Sequence, residues 1–255
     1  MSRRPALTVS EERGVRTLHV GGAAIQSSMR LSDPYALELD YTRCMMAFLL
    51  FHARPRRALK IGLGGGSLPK FFWRRLPWLR TRVVELDPRV VAVAREQFFL
   101  PPDDARLRVE VGEGAEALAP ECCDLLIVDA FADEHPPAAL VSQAFFNAAW
   151  LALEEAGALV LNFMDDDPKL DERLQRLERA FGGTVLALPA LHDPNVIVIA
   201  LKGAPPRLSW DALRSRAHAL ERRYGLPFPR YLPRFKRMNR HDAQNLIIAG
   251  EEEGA

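Results

Sequence analysis

The chain has little cysteine. Cys44, Cys122 and Cys123 are its only three in 255 residues, too few for a disulfide framework. The vicinal pair Cys122-Cys123 suits a reducing compartment, so a cytoplasmic location is expected. Lysine is scarce as well. The cations are mostly arginine, with lysine only at 60, 70, 169, 202 and 236, a shortage that reads as coding bias. No stretch approaches the roughly 18 uncharged apolar residues of a membrane span, so no membrane partner is expected. The N-terminus, MSRRPALTV, is basic but lacks an apolar run of signal-peptide length. A net charge of +1 leaves no global field to draw nucleic acid or an acidic membrane surface. What is present is a chain 48% hydrophobic, enough for a sizeable core in one α/β domain with a small appendage.

The apolar pattern divides this core into units. Leu7–Val9 and Val15–Val20 flank Glu12-Arg13-Gly14, a plausible hairpin. Residues 35–52 read as a helix, with Leu37, Tyr41, Cys44, Met45 and Phe48 near 3.6 spacing. Strands are then predicted at 58–63, 81–86, 107–112, 124–129, 157–163, 184–189 and 195–201. Helices are predicted at 67–76, 88–98, 142–155 and 168–181, with a short one at 114–118. Ser142 is a plausible N-cap. Alternating strands and helices imply a doubly wound, mostly parallel seven-stranded sheet. The last two strands, separated by a loop containing His192-Asp193-Pro194, imply an antiparallel pair at one edge. A break at GAPPR (203–207) precedes a helix marked by Trp210, Leu213, Ala217 and Leu220, then an irregular basic tail to Arg240. The expected division is 1–33 for the β-hairpin element, 34–202 for a nucleoside-binding α/β domain and 203–255 for the C-terminal helix and tail. The final residues, 251–255, are expected to be disordered.

In open parallel sheets the ligand lies beyond the carboxyl ends of the strands. The first of these ends carries Gly62, Gly64, Gly65 and Gly66 within IGLGGGS. Glycine allows a tight turn and a close approach of backbone to ligand. The second strand ends at Glu85, where a carboxylate can accept from a ribose diol. The third runs into Gly112-Glu113-Gly114, and the fourth ends at Asp129. An NAD site would need glycine at position 67, where this chain has Ser67. Glu113 and Asp129 favour an adenosyl sulfonium instead. An acid after the third strand can accept from the adenine amino group, and one after the fourth faces the reactive centre.

At these residues the chain resembles the spermidine synthase-like proteins, polyamine aminopropyltransferases on a methyltransferase-type Rossmann fold. Ile25-Gln26-Ser27, Tyr41 in YTRCMM, IGLGGGSLPKF, VVELDP, VGEG and LLIVDAF stand in the family's order. The resemblance covers about residues 15–200. It implies that Gln26 touches the nucleoside ligand and Glu85 holds the ribose hydroxyls. Glu113, with Gly114, would sit near the adenine. Tyr41 and Asp129 would face the amine, with Asp129 the candidate general base. It also implies decarboxylated S-adenosylmethionine as co-substrate, a small-molecule amine as partner and a homodimer or tetramer. Besides Glu113, which stands where the family usually has Asp, two positions depart from the family pattern. Its glycine loop usually carries an Asp where Gly65 stands. It also usually has a second Asp three residues after the catalytic one, where this chain has Ala132, with Asp133 one residue late.

Three functions therefore stay open: aminopropyl transfer, methyl transfer from S-adenosylmethionine itself, and a non-catalytic nucleoside-binding or scaffold role. Other residues read more plainly. Tyr41 also lies on an apolar helical stripe. Arg43 reads as an ion-pair residue, and His135 follows the Asp129 strand in a loop. Asp165-Asp166-Asp167 splay in different directions with no histidine nearby, so no metal is expected and Asp166 or Asp167 reads as a helix cap. Cys122 and Cys123 read as packing residues. Arg230, Arg234, Lys236, Arg237 and Arg240, interleaved with Tyr231 and Phe235, read as a tail wrapping its own domain rather than as an RNA site.

Overall fold

The computed structural model describes residues 6–22, 25–131, 135–205 and 207–248. Three strands open the chain: β1 (Leu7–Glu12), β2 (Val15–Val20) and β3 (Ile25–Arg30). They form a separate antiparallel sheet in the order β1-β2-β3. The hairpin expected at Arg13-Gly14 is its first turn, with Arg13 and Gly14 both at positive φ. Strand β3 then carries Gln26 and Ser27 back towards the main domain.

Residues 35–52 do not form one helix. Helix α1 (Asp40–Met45) is six residues long and runs into a 3₁₀ turn, Met46–Leu50. Its start is held from outside. Asp40 Oδ2 accepts from the backbone of Leu191 at 2.5 Å, and Asp193 Oδ2 accepts from the Tyr41 N–H at 2.8 Å. These reciprocal bonds clamp α1 to the loop after residue 189.

The main domain runs β4 (Arg57–Ile61), α2 (Ser67–Arg75), β5 (Arg80–Glu85), α3 (Pro88–Gln97), β6 (Leu107–Val111) and β7 (Cys123–Val128). It continues with α4 (Gln143–Ala152), β8 (Leu153–Met164), α5 (Leu170–Phe181), β9 (Val185–Pro189) and β10 (Asn195–Leu201). Its seven strands lie in the order β6-β5-β4-β7-β8-β10-β9. Strands β6, β5, β4, β7 and β8 are mutually parallel. The pair β9–β10 is antiparallel as expected, but β10 lies inside, between β8 and the edge strand β9. All seven residues of β10 are buried. Ser142 caps α4 by accepting from the Phe145 N–H at 3.1 Å.

Strand alternation splits the core between two faces. Leu59, Leu126, Leu159 and Val198 face α4 and α5, against Phe145, Phe146, Leu177 and Phe181. Ala58, Ile127, Val160 and Ile197 face the other way. That second face is closed by α1, α2 and two C-terminal helices, α6 (Trp210–Tyr224) and α7 (Phe228–Met238). The tail expected to be irregular is thus helical over 228–238. Tyr231, Arg234 and Phe235 are buried in it. It packs on its own domain, with Asn239 bonded to both backbone groups of Ala187 on β9. A short β11 (Arg207–Ser209) pairs with β12 (Asn245–Ile247). Residues 251–255 and the second family position, Ala132 with Asp133, lie outside the described residues.

Candidate active site

A cavity of about 430 Å³ opens where the parallel strands end. Gln26, Tyr41, Gly64 and Asp129 line it, with Lys60, Asn162, Asp166 and Asp193. The sheet places these groups by parity. On the face that buries Ala58, Ile127, Val160 and Ile197, the next inward positions towards the cavity are Lys60, Asp129, Asn162 and Asn195. They stand on four neighbouring strands or strand ends, β4, β7, β8 and β10.

They form one hydrogen-bonded row. Lys60 Nζ donates to Asp129 Oδ2 at 3.2 Å and to the Gly62 carbonyl at 2.5 Å. Asn162 Nδ2 donates to Asp129 Oδ1 at 3.1 Å, and Asn195 Nδ2 donates to Asn162 Oδ1 at 2.9 Å. Lys60 and Asn162 thus hold one oxygen of Asp129 each, and Asn195 steadies Asn162. Lys60 is 1% exposed and its partner's side chain 13%, a buried pair that makes the loss of either member costly.

Tyr41, on α1, lines the same cavity. Its hydroxyl donates to the Gln26 carbonyl at 3.4 Å. Burial, then the charges of Asp129 and Asp193, push its proton loss far above the ordinary phenol range. It is therefore a hydrogen-bond donor at any working pH.

The glycine turn is fixed by packing. Gly62 has φ +87°, and a Cβ there would lie 2.3 Å from the Asp129 carbonyl oxygen. A Cβ on Gly114 would lie 2.2 Å from Ile61 Cγ2. Gly66, at φ +73°, opens α2. Glu85 and Gly114 stand at the neighbouring strand ends, outside the cavity lining, and so does Glu113. Glu85 Oε2 accepts from the Leu63 N–H at 2.7 Å and Oε1 from the Asp87 N–H at 2.9 Å. It ties the glycine turn to β5.

The chain is 38% identical to a polyamine aminopropyltransferase of Chromobacterium violaceum over 96% of its own length and 94% of that protein's. It belongs to the polyamine aminopropyltransferase family. A polyamine aminopropyltransferase of Neisseria meningitidis serogroup B is 37% identical over 96% of this chain and 94% of its own. No family model matches. The eEF1A lysine and N-terminal methyltransferase of Mus musculus is 28% identical over 66% of this chain and 26% of its own length. Human methyltransferase-like protein 13, solved in complex with SAH, superposes with a TM-score of 0.66 at 27% identity, over 74% of this chain and 93% of its own. A probable spermidine synthase from Corynebacterium glutamicum gives 0.71 at 23% identity over 94% of both chains, a likeness of fold.

Family membership sharpens the departure at Gly65. A Cβ there would lie 2.8 Å from both Phe98 Cδ1 and Ser27 Oγ, so the room for an acid is filled. Lys60, Asn162 and Asp193 join the site without a strand-end motif to mark them. Lys60 carried a usable signal, a lysine inside an apolar strand two residues before the glycine turn. Asp193 joins the site through a turn that no periodicity marks. His135 is not among the lining residues, and Asp167 is tied to Arg173 and to the Lys169 N–H. Among the described residues, no group of three or more His, Cys, Asp or Glu is placed to hold a metal ion. No described helix is long and apolar enough to cross a membrane.

Proposed function

We propose that the chain transfers an aminopropyl group from decarboxylated S-adenosylmethionine to a small amine. The observation that carries this reading is Asp129 at the end of a central strand, both oxygens held, in one cavity with Tyr41. Gln26 and the turn Gly62, Gly64, Gly65 and Gly66 would take the nucleoside. Glu85 would hold the ribose with the acceptor capacity its two backbone bonds leave free, since a carboxylate has about four acceptor sites. Glu113 and Gly114 would face the adenine. In the reaction the amine lone pair forms a bond to the carbon beside sulfur. The carbon–sulfur pair goes to sulfur and neutralises the sulfonium. The nitrogen sheds a proton through Asp129 to water, while Tyr41 orients the amine. A homodimer or tetramer belongs to the same proposal and rests on family resemblance alone.

A second reading is methyl transfer from S-adenosylmethionine. The filled space at Gly65 favours it, because no acid there repels a donor carboxylate. Asp129→Asn tests both. Turnover should fall by about 10²–10⁴-fold, the usual contribution of a general base, with methylthioadenosine binding retained. The assay pairs putrescine, spermidine, agmatine and cadaverine with each donor. Full activity in the variant rejects Asp129 as base. Methyl transfer without aminopropyl transfer selects the second reading.

A further inference from the structure

Lys60 is the only cation lining the cavity among the described residues. Its ammonium is held in place by the Gly62 carbonyl and by Asp129. Any amine that hydrogen-bonds Asp129 must share that carboxylate with it. A hydrogen bond spans about 3 Å, so on the shared Oδ2 the two nitrogens lie within about 6 Å of each other. Lys60 is buried, and salt screens such a charge far less than an exposed one.

The other charged and titratable groups facing this point are acids or a neutral donor. Asp129 comes from the end of β7 and Asp193 from the β9–β10 loop. Asp166 comes from the loop before α5, and the Tyr41 hydroxyl from α1. The three carboxylates draw a cationic amine into the cavity. Lys60 alone opposes the proton on the nitrogen that settles at Asp129. A cation beside an amine favours its neutral form, a recognised way of activating an amine nucleophile. The reaction needs that form, because an ammonium has no lone pair to attack with.

We propose that Lys60 is a positioning residue of the transfer reaction: fixed at Asp129, it orients that carboxylate and biases the attacking nitrogen towards its neutral, nucleophilic form. The proton lost on binding leaves to water, and the bonds made and broken afterwards are those already described. This inference rests on the amine-transfer reading of the cavity.

The test is Lys60→Met, with Lys60→Gln as a second uncharged variant that keeps a donor towards Asp129. Removing the charge lets the ammonium bind more tightly without improving the transition state. The expected signature is a fall in kcat and in KM together, by about tenfold each, with kcat/KM nearly unchanged. The limb of the kcat–pH profile that rises with pH should move about one unit higher. Packing damage has a different signature, with kcat falling while KM holds or rises and the profile stays in place; that result overturns the proposal. Binding supplies a readout that needs no turnover. Calorimetry of putrescine with the enzyme–methylthioadenosine complex at pH 7 should show about tenfold tighter binding in both variants. Unchanged or weaker binding overturns the role of Lys60. If wild type turns over no amine yet both variants bind putrescine more tightly, the transfer reading fails and the electrostatic role stands.

Discussion

A single missing side chain shapes the donor end of the site. The space beside Gly65 belongs to Ser27 and Phe98, so restoring the family's acid there overfills a packed corner. Gly65→Asp should lower stability by about 1–3 kcal/mol, the usual cost of overpacking, and should not raise aminopropyl transfer. Thermal melts and turnover with decarboxylated S-adenosylmethionine check both. Adding Ser27→Gly should recover part of the melting temperature, because it removes one of the two close contacts. At this scale the sequence was partly legible. The glycines, Glu85 and Asp129 announce themselves by standing at strand ends. Lys60 does not, because a charged residue inside an apolar strand looks accidental until its partner, three strands later in sequence, is placed beside it. Glu85 was found, but its bonds to Leu63 and Asp87 were not foreseeable. They depend on how closely the turn folds back over β5.

Elements with strong periodicity were legible, and those shaped by tertiary contacts were not. Strands β4 to β8 follow from short apolar runs, and the α4 cap follows from Ser142. Helix α1 is shorter than its apolar stripe because two carboxylates, its own Asp40 and Asp193 of the β9–β10 loop, fix its start and a 3₁₀ turn ends it. Helix α7 was hidden by its many arginines and by Pro233, although Tyr231, Arg234 and Phe235 bury one side of it. The clamp between α1 and the β9–β10 loop gives a prediction at this scale. Asp40→Ala removes the acceptor for the Leu191 N–H, a part-buried bond whose loss costs about 0.5–1.5 kcal/mol. The melting temperature should fall. The KM for the amine should rise while the dissociation constant for methylthioadenosine holds, because the loop carrying Asp193 loses Asp40 as its anchor on α1 and the glycine turn loses nothing.

Across the whole molecule, one buried lysine couples stability to pH. Lys70 on α2 donates to the Phe98 carbonyl at 2.8 Å, and burial pulls its ammonium down from its ordinary 10.5 to about 7. Below about pH 7 both the folded and the unfolded chain carry the proton, and the burial cost is felt in full. Between about 7 and 10.5 only the unfolded chain binds it, so folding gains stability as pH rises through this window. Melting curves from pH 7 to 10 should therefore show wild type gaining on Lys70→Met. Parallel curves would show that Lys70 contributes nothing to the slope.

The inserted strand β10 bears on how the chain is made. Strand β8 is laid down before β9, yet its outer neighbour in the finished sheet is β10, which follows both. Until residues 195–201 emerge from the ribosome, β8 has an open, strongly apolar edge and β9 has no partner. Such an edge is a template for wrong pairing. Asn195 at the start of β10 and Asp193 just before it line the cavity, so one wall of the cavity and the seal on the sheet arrive together. A nascent chain stalled before residue 195 should associate through the open β8 edge; one that has passed residue 201 should lose that edge, with its second face covered only once α6 and α7 follow.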